Sequence, residues 1–196
     1  MYQKHLKFQK MICLLCVVAA AVSFIYALGM ITDIYDALYT TMRNPNDLTQ
    51  TKVPGSIIYY DMQEFNRQFV NISIVLILLA CFLYLTNTHS RRKYYISNYL
   101  AVGAYSIATL GVGFWAHGQI EAFAAQYMET IDFEKLKEFS EMWETPYLDN
   151  TNMLDLHRVV LGLAIVSVVA LIGNVIWKVV LIRNEKKLIE AGKEAA

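Results

Sequence analysis

Four long apolar stretches constrain this chain more than any other feature of its sequence. Asp, Glu, Lys and Arg are absent from residues 11–31, 69–85, 94–116 and 159–177. About 20 apolar residues in an α-helix cross a hydrocarbon core about 30 Å thick, because each residue adds about 1.5 Å. Four such helices in a chain of 196 residues would leave almost nothing to cover them in water. We therefore predict an all-α integral membrane protein with transmembrane helices at 11–31, 69–87, 94–117 and 158–179.

The distribution of charge predicts the orientation of these helices. The N-terminal segment, the connection between the second and third spans, and the C-terminal end together hold 11 basic and three acidic residues. The two long connections, with the residues that flank them, hold six basic and 14 acidic residues. Basic residues accumulate on the cytoplasmic side of membrane proteins. This pattern predicts one domain of two helical hairpins in the cell membrane, with both termini cytoplasmic. The cytoplasmic segments would be 1–10, 88–93 and 180–196, and the extracytoplasmic segments 32–68 and 118–157.

The two long connections keep helical periodicity, so we expect the helices to extend into an extracytoplasmic bundle. The apolar pattern after the third span continues that helix beyond the membrane, and a similar pattern could extend the first helix to Asn44. Asp132 is suited to cap a further amphipathic helix that ends before Pro146. We predict that the apolar face of this helix binds a partner through Phe133, Leu136, Phe139 and Trp143.

Four polar side chains near the ends of the third and fourth spans form a candidate metal site. His117 and Glu121 lie one helical turn apart, and Asp155 and His157 lie close to the start of the fourth span. Imidazole and carboxylate groups are ligands for zinc and similar divalent ions. The two imidazoles could also ligate haem. The alternative interpretation is a set of polar residues at the membrane boundary that binds no ligand.

Several functional classes are disfavoured by what the sequence lacks. No span carries a charged residue at mid-depth, where proton relays and ion-coupled carriers usually have one. All three cysteines, Cys13, Cys16 and Cys81, lie within predicted spans, so the extracytoplasmic segments have no disulfide framework. We interpret Cys13 and Cys16 as small packing residues. No phosphate-binding glycine loop, HExxH pair or GxSxG motif is present, and nothing indicates nucleic-acid binding.

These observations favour a non-enzymatic membrane protein that needs no cofactor. We expect an accessory or interaction subunit of a larger membrane complex, surrounded by the lipid bilayer and bound to another membrane protein or to itself. Two alternatives remain open at this point. One is a homo-oligomeric channel or passive transport protein, and the other is a metal- or haem-dependent membrane enzyme that uses the histidines.

Overall fold

The computed structural model of the protein describes residues 2–39, 41–44, 47–88, 96–145 and 147–194. Helices dominate these residues, and the only strands within them form one short hairpin. In chain order the elements are α1 (Tyr2–Tyr39), β1 (Met42–Asn44), β2 (Asp47–Thr51), α2 (Ile58–Asn87), α3 (Ile96–Thr130), α4 (Phe133–Trp143), α5 (Asn152–Asp155) and α6 (His157–Glu194).

Four helices are long and apolar enough to cross a membrane, as the sequence predicts. They are His5–Met30 within α1, Ile58–Asn87, Ile96–Thr130, and Asn152–Ala191, which runs through α5 and α6. Each coincides with one of the predicted spans, and each is longer than the roughly 20 residues that a bilayer requires. The prediction of a multi-pass helical membrane protein is confirmed to this extent. All but the first residue of the predicted connection 88–93 lies outside the described residues.

The segment between α1 and α2 differs from the expected helical extension and loop. Helix α1 ends at Tyr39, and β1 pairs antiparallel with β2, with Met42 opposite Thr51 and Asn44 opposite Asp47. The hydroxyl and the backbone N–H of Thr41 both donate to the carbonyl of Leu38, at 2.6 and 3.0 Å. The helix therefore ends before Asn44, and residues 42–44 pair with β2 instead.

Contacts divide the chain into two compact units, which we describe separately. The first unit comprises Met1–Ala20, Leu76–Leu110 and Leu163–Ala196, and the second comprises Ala21–Val75 and Gly111–Gly162.

Small residues and one buried tyrosine form the centre of the first unit. The Tyr105 hydroxyl of α3 donates to the carbonyl of Cys16 in α1 at 3.0 Å, and it lies 3.4 Å from the hydroxyl of Ser167 in α6. The Cys16 thiol is fully buried and points to the carbonyl of Ser167 at 3.8 Å. Cys16 is therefore a packing residue with a weak hydrogen bond, which is consistent with its interpretation from the sequence.

Aromatic side chains dominate the core of the second unit. Phe65 of α2 contacts Trp115 and Phe123 of α3, with ring centroids 5.1 and 5.5 Å apart. The same core includes Ile120 of α3 and Leu136 of α4, both fully buried. These side chains belong to one hydrophobic core within the unit.

Within the second unit, helix α4 is held at its N-terminal end by hydrogen bonds of Asp132. Asp132 caps the helix by accepting from the backbone N–H of Lys135 at 3.1 Å, as the sequence predicts. The N–H of Asp132 itself donates to the carbonyl of Pro54 at 3.2 Å. The next residue, Gly55, has a φ of 84°, and a Cβ there would lie 2.0 Å from the carbonyl oxygen of Thr130. Only glycine permits this close approach.

Candidate functional site

The second unit brings two histidines together from α3 and from the start of α6. His157 is the first residue of α6, and its side chain is only 5% exposed. Its Nδ1 donates a hydrogen bond to the carbonyl of Leu154. A proton held on Nδ1 leaves a lone pair on Nε2, so this contact selects the tautomer that can accept a hydrogen bond or bind a metal through Nε2.

His117 faces this nitrogen from α3. Its Nδ1 lies 2.6 Å from the Nε2 of His157, and the ring centroids are 4.9 Å apart at an angle of 32°. With this tautomer of His157, the Nδ1 of His117 is the hydrogen-bond donor of the pair. The haem site that the sequence left open stays a prediction.

Glu121 completes a three-residue cluster. It lies one turn after His117, and its Oε1 is 3.8 Å from the Nδ1 of His117 and 3.6 Å from the Nε2 of His157. One ligand atom from each residue lies within 4.8 Å of the others, which is the spacing of groups that could share an ion. Of the four predicted ligands, the structure therefore brings together His117, Glu121 and His157.

Asp155, the fourth predicted ligand, is not part of this cluster. One oxygen of its carboxylate accepts from the hydroxyl of Thr151 at 2.9 Å, and the other lies 3.2 Å from Nη1 of Arg158. Arg158 extends to Glu121, where its Nε and Nη2 donate to the two carboxylate oxygens at 2.9 and 3.1 Å. Asp155 thus acts on the cluster through Arg158.

Sequence reasoning missed Arg158 as a member of the site. The available signal was its position directly after His157 and three residues after Asp155, which places a cation beside two predicted ligands. The residue pattern did not show that the guanidinium would reach across to α3. Arg158 makes two hydrogen bonds to Glu121, whose carboxylate therefore lies between the guanidinium and the two imidazoles.

The four residues predicted to bind a partner are placed differently from one another. Leu136 is fully buried, and Phe133 and Phe139 pack against the core of the second unit. Their apolar faces are occupied within the unit, which explains the amphipathic pattern of α4 without a partner. Trp143 is 59% exposed, although its ring contacts that of Phe139 and the Nζ of Lys52 lies 5.2 Å from its centroid. Its neighbour Met142 is 73% exposed.

Comparisons with protein-family models, curated proteins and solved structures found no match to this chain. Four of its helices are long and apolar enough to cross a membrane, as in a multi-pass helical membrane protein.

Proposed function

We propose that this protein is a non-enzymatic accessory or interaction subunit of a larger complex in the cell membrane. In this proposal both termini are cytoplasmic, the four spans form two hairpins, and the segments 32–68 and 118–157 lie on the extracytoplasmic side. The observation that supports partner binding most directly is the exposed pair Met142 and Trp143 at the end of α4. Exposed tryptophan and methionine are enriched at protein interfaces.

The surroundings of this pair favour a protein partner over lipid. Glu138, Glu141 and Glu144 are all exposed beside Met142 and Trp143. Carboxylates at this position would be repelled by anionic headgroups and are costly to bring into hydrocarbon. A partner with an apolar pocket bordered by Lys or Arg would match both the apolar pair and its acidic border.

The partner can be tested by native mass spectrometry of the protein extracted gently from its own membrane. We expect a heterocomplex that is lost when Met142 and Trp143 are replaced in the double variant Met142→Ser, Trp143→Ala. Met128→Ala is the matched control, because Met128 is 49% exposed in α3 of the same unit but outside the exposed pair and its acidic border. A complex that survives the double variant would contradict the proposed contact.

The same spectrum addresses the rival function. A ring of identical chains without a second protein would favour the channel and contradict an accessory subunit. Conductance of the reconstituted protein would then be the decisive measurement.

The proposed orientation rests on the charge asymmetry and has its own test. In a variant with Cys13, Cys16 and Cys81 replaced by Ala, a single cysteine is introduced at Trp143 or at Lys186. A membrane-impermeant maleimide applied to intact cells should label the first and spare the second until the membrane is opened. Labelling of the cysteine at position 186 alone in intact cells would reverse the orientation.

A further inference from the structure

We propose that His117, Glu121 and His157 bind one divalent ion of the zinc class. The proposal concerns a site in the second unit and does not depend on the partner surface at Met142 and Trp143. Two imidazoles and one carboxylate are a donor set that zinc accepts readily, whereas Mg²⁺ and Ca²⁺ prefer oxygen ligands alone. Three protein ligands leave a fourth tetrahedral position for water or for a ligand from outside.

The distances within the cluster are close to those that an ion requires. With metal–ligand bonds of about 2.0–2.2 Å, two ligand atoms on a tetrahedral zinc lie about 3.3 Å apart. Glu121 Oε1 is already 3.6 Å from His157 and 3.8 Å from His117. The two ring nitrogens, at 2.6 Å, must separate by less than about 1 Å. Rotation of the His117 side chain, which is 38% exposed, can supply this movement.

The backbone near His157 already holds its imidazole ring in the orientation that a metal-binding histidine needs. The hydrogen bond from Nδ1 to the carbonyl of Leu154 holds the ring and leaves the lone pair of Nε2 free to bind a metal ion. Metal-bound histidines usually have such a contact on their second nitrogen. The Tyr26 hydroxyl donates to the same carbonyl at 3.3 Å and to that of Met153 at 3.1 Å, which ties this turn to α1.

Replacement of Arg158 distinguishes an ion site from a simple polar network, because the two hypotheses predict opposite effects. Its guanidinium neutralises Glu121 through two hydrogen bonds and lies where it would repel a second cation. An incoming ion must therefore compete with Arg158 for the carboxylate. If the cluster binds an ion, removal of Arg158 should strengthen metal binding. If the cluster is only a structural network, the same change weakens it.

The test is a titration of the purified full-length protein in detergent, after treatment with a chelator, with Zn²⁺ in competition with a chromophoric chelator. We expect one equivalent to bind, and excess Mg²⁺ or Ca²⁺ not to displace it. His117→Ala and Glu121→Gln should each weaken binding by more than about 100-fold, since loss of even an outer contact costs 10–100-fold. Arg158→Ala should tighten it by about tenfold.

Two controls separate the cluster from other metal-binding groups in the chain. The double variant Cys13→Ala, Cys16→Ala removes the thiols of the first unit and should bind Zn²⁺ as the original chain does. Co²⁺ bound to the original chain should give the absorption of a four-coordinate ion with no sulfur-to-metal charge-transfer band. His157→Ala removes the third ligand, but it empties a buried position and could prevent folding. His117→Gln removes a ligand at a position that is 38% exposed, so this variant should fold normally.

The proposal is overturned if the folded protein binds no Zn²⁺, or if binding persists unchanged in both His117→Ala and Glu121→Gln. It is also overturned if the cysteine variant loses the ion, because the thiols would then be the ligands. Loss of binding in the His117 and Glu121 variants together with stronger binding in Arg158→Ala would support it.

Discussion

Arg158 at the start of α6 binds Glu121 of α3 through two hydrogen bonds of 2.9 and 3.1 Å, and it is also 3.2 Å from a carboxylate oxygen of Asp155. The side chain of Arg158 is 60% exposed and that of Glu121 is 38% exposed. Solvent and salt therefore screen the attraction. The ion pair therefore contributes little to the stability of the fold.

The first prediction concerns the stability of this pair. Arg158→Ala should leave the melting temperature of the purified protein nearly unchanged, and the small difference should vanish at high salt. Circular dichroism in detergent, at low and high ionic strength, measures both effects. A large fall in melting temperature that persists in salt would mean that the pair is a structural requirement of the second unit.

The second prediction concerns the two sides of α4. Leu136→Ala should lower the free energy of unfolding by about 2–5 kcal/mol, because Leu136 is fully buried in the core. Met142→Ala, on the same helix but 73% exposed, should change it by less than about 0.5 kcal/mol. Unfolding by a denaturing detergent measures both variants. Equal effects would contradict the placement of α4.

The third prediction concerns Gly55. Gly55→Ala should strongly destabilise the second unit, since the backbone has a positive φ and the new Cβ would meet the carbonyl of Thr130 at 2.0 Å. Gly118→Ala is the matched control in α3, where a Cβ meets nothing within 4 Å. Alanine in a helix is favoured over glycine by about 0.5–1 kcal/mol, so the control should melt at the same or a higher temperature. A Gly55→Ala protein as stable as the control would refute the close contact.

The fourth prediction concerns the Tyr26 hydroxyl, which donates to two carbonyls in α5. Tyr26→Phe keeps the ring in the core and removes only these hydrogen bonds. We expect a loss of about 0.5–1.5 kcal/mol in the free energy of unfolding. Tyr60→Phe, at a position that is 50% exposed, should be neutral. Unfolding by a denaturing detergent measures both variants. Equal free energies of unfolding for the two variants would contradict the hydrogen bonds of Tyr26.

Much of the fold follows from local properties of the chain. The four apolar helices could be predicted because crossing a bilayer requires only length and apolar composition. The start of α4 could be predicted because an aspartate before an amphipathic pattern caps the helix that follows. The β-hairpin was not predicted, because the helical periodicity of the segment does not reveal the pairing of Met42 with Thr51 and of Asn44 with Asp47.

The candidate site was predicted only in part, for a physical reason. The spacing of His117 and Glu121 places both on one face of a helix, which is a local property. Their approach to His157, 40 residues from His117, depends on how α3 and α6 pack within the second unit. The same packing takes Asp155 away from the cluster and brings Arg158 to it.

The sequence by itself determined that the chain has four apolar helices and an amphipathic α4, because hydrophobicity and helical period are properties of neighbouring residues. Only the tertiary structure decided which faces of those helices are occupied. It buries Leu136 and leaves Met142 and Trp143 exposed, and it joins His157 of α6 to His117 and Glu121 of α3. Contacts between distant segments depend on packing geometry, and a linear pattern does not contain that geometry.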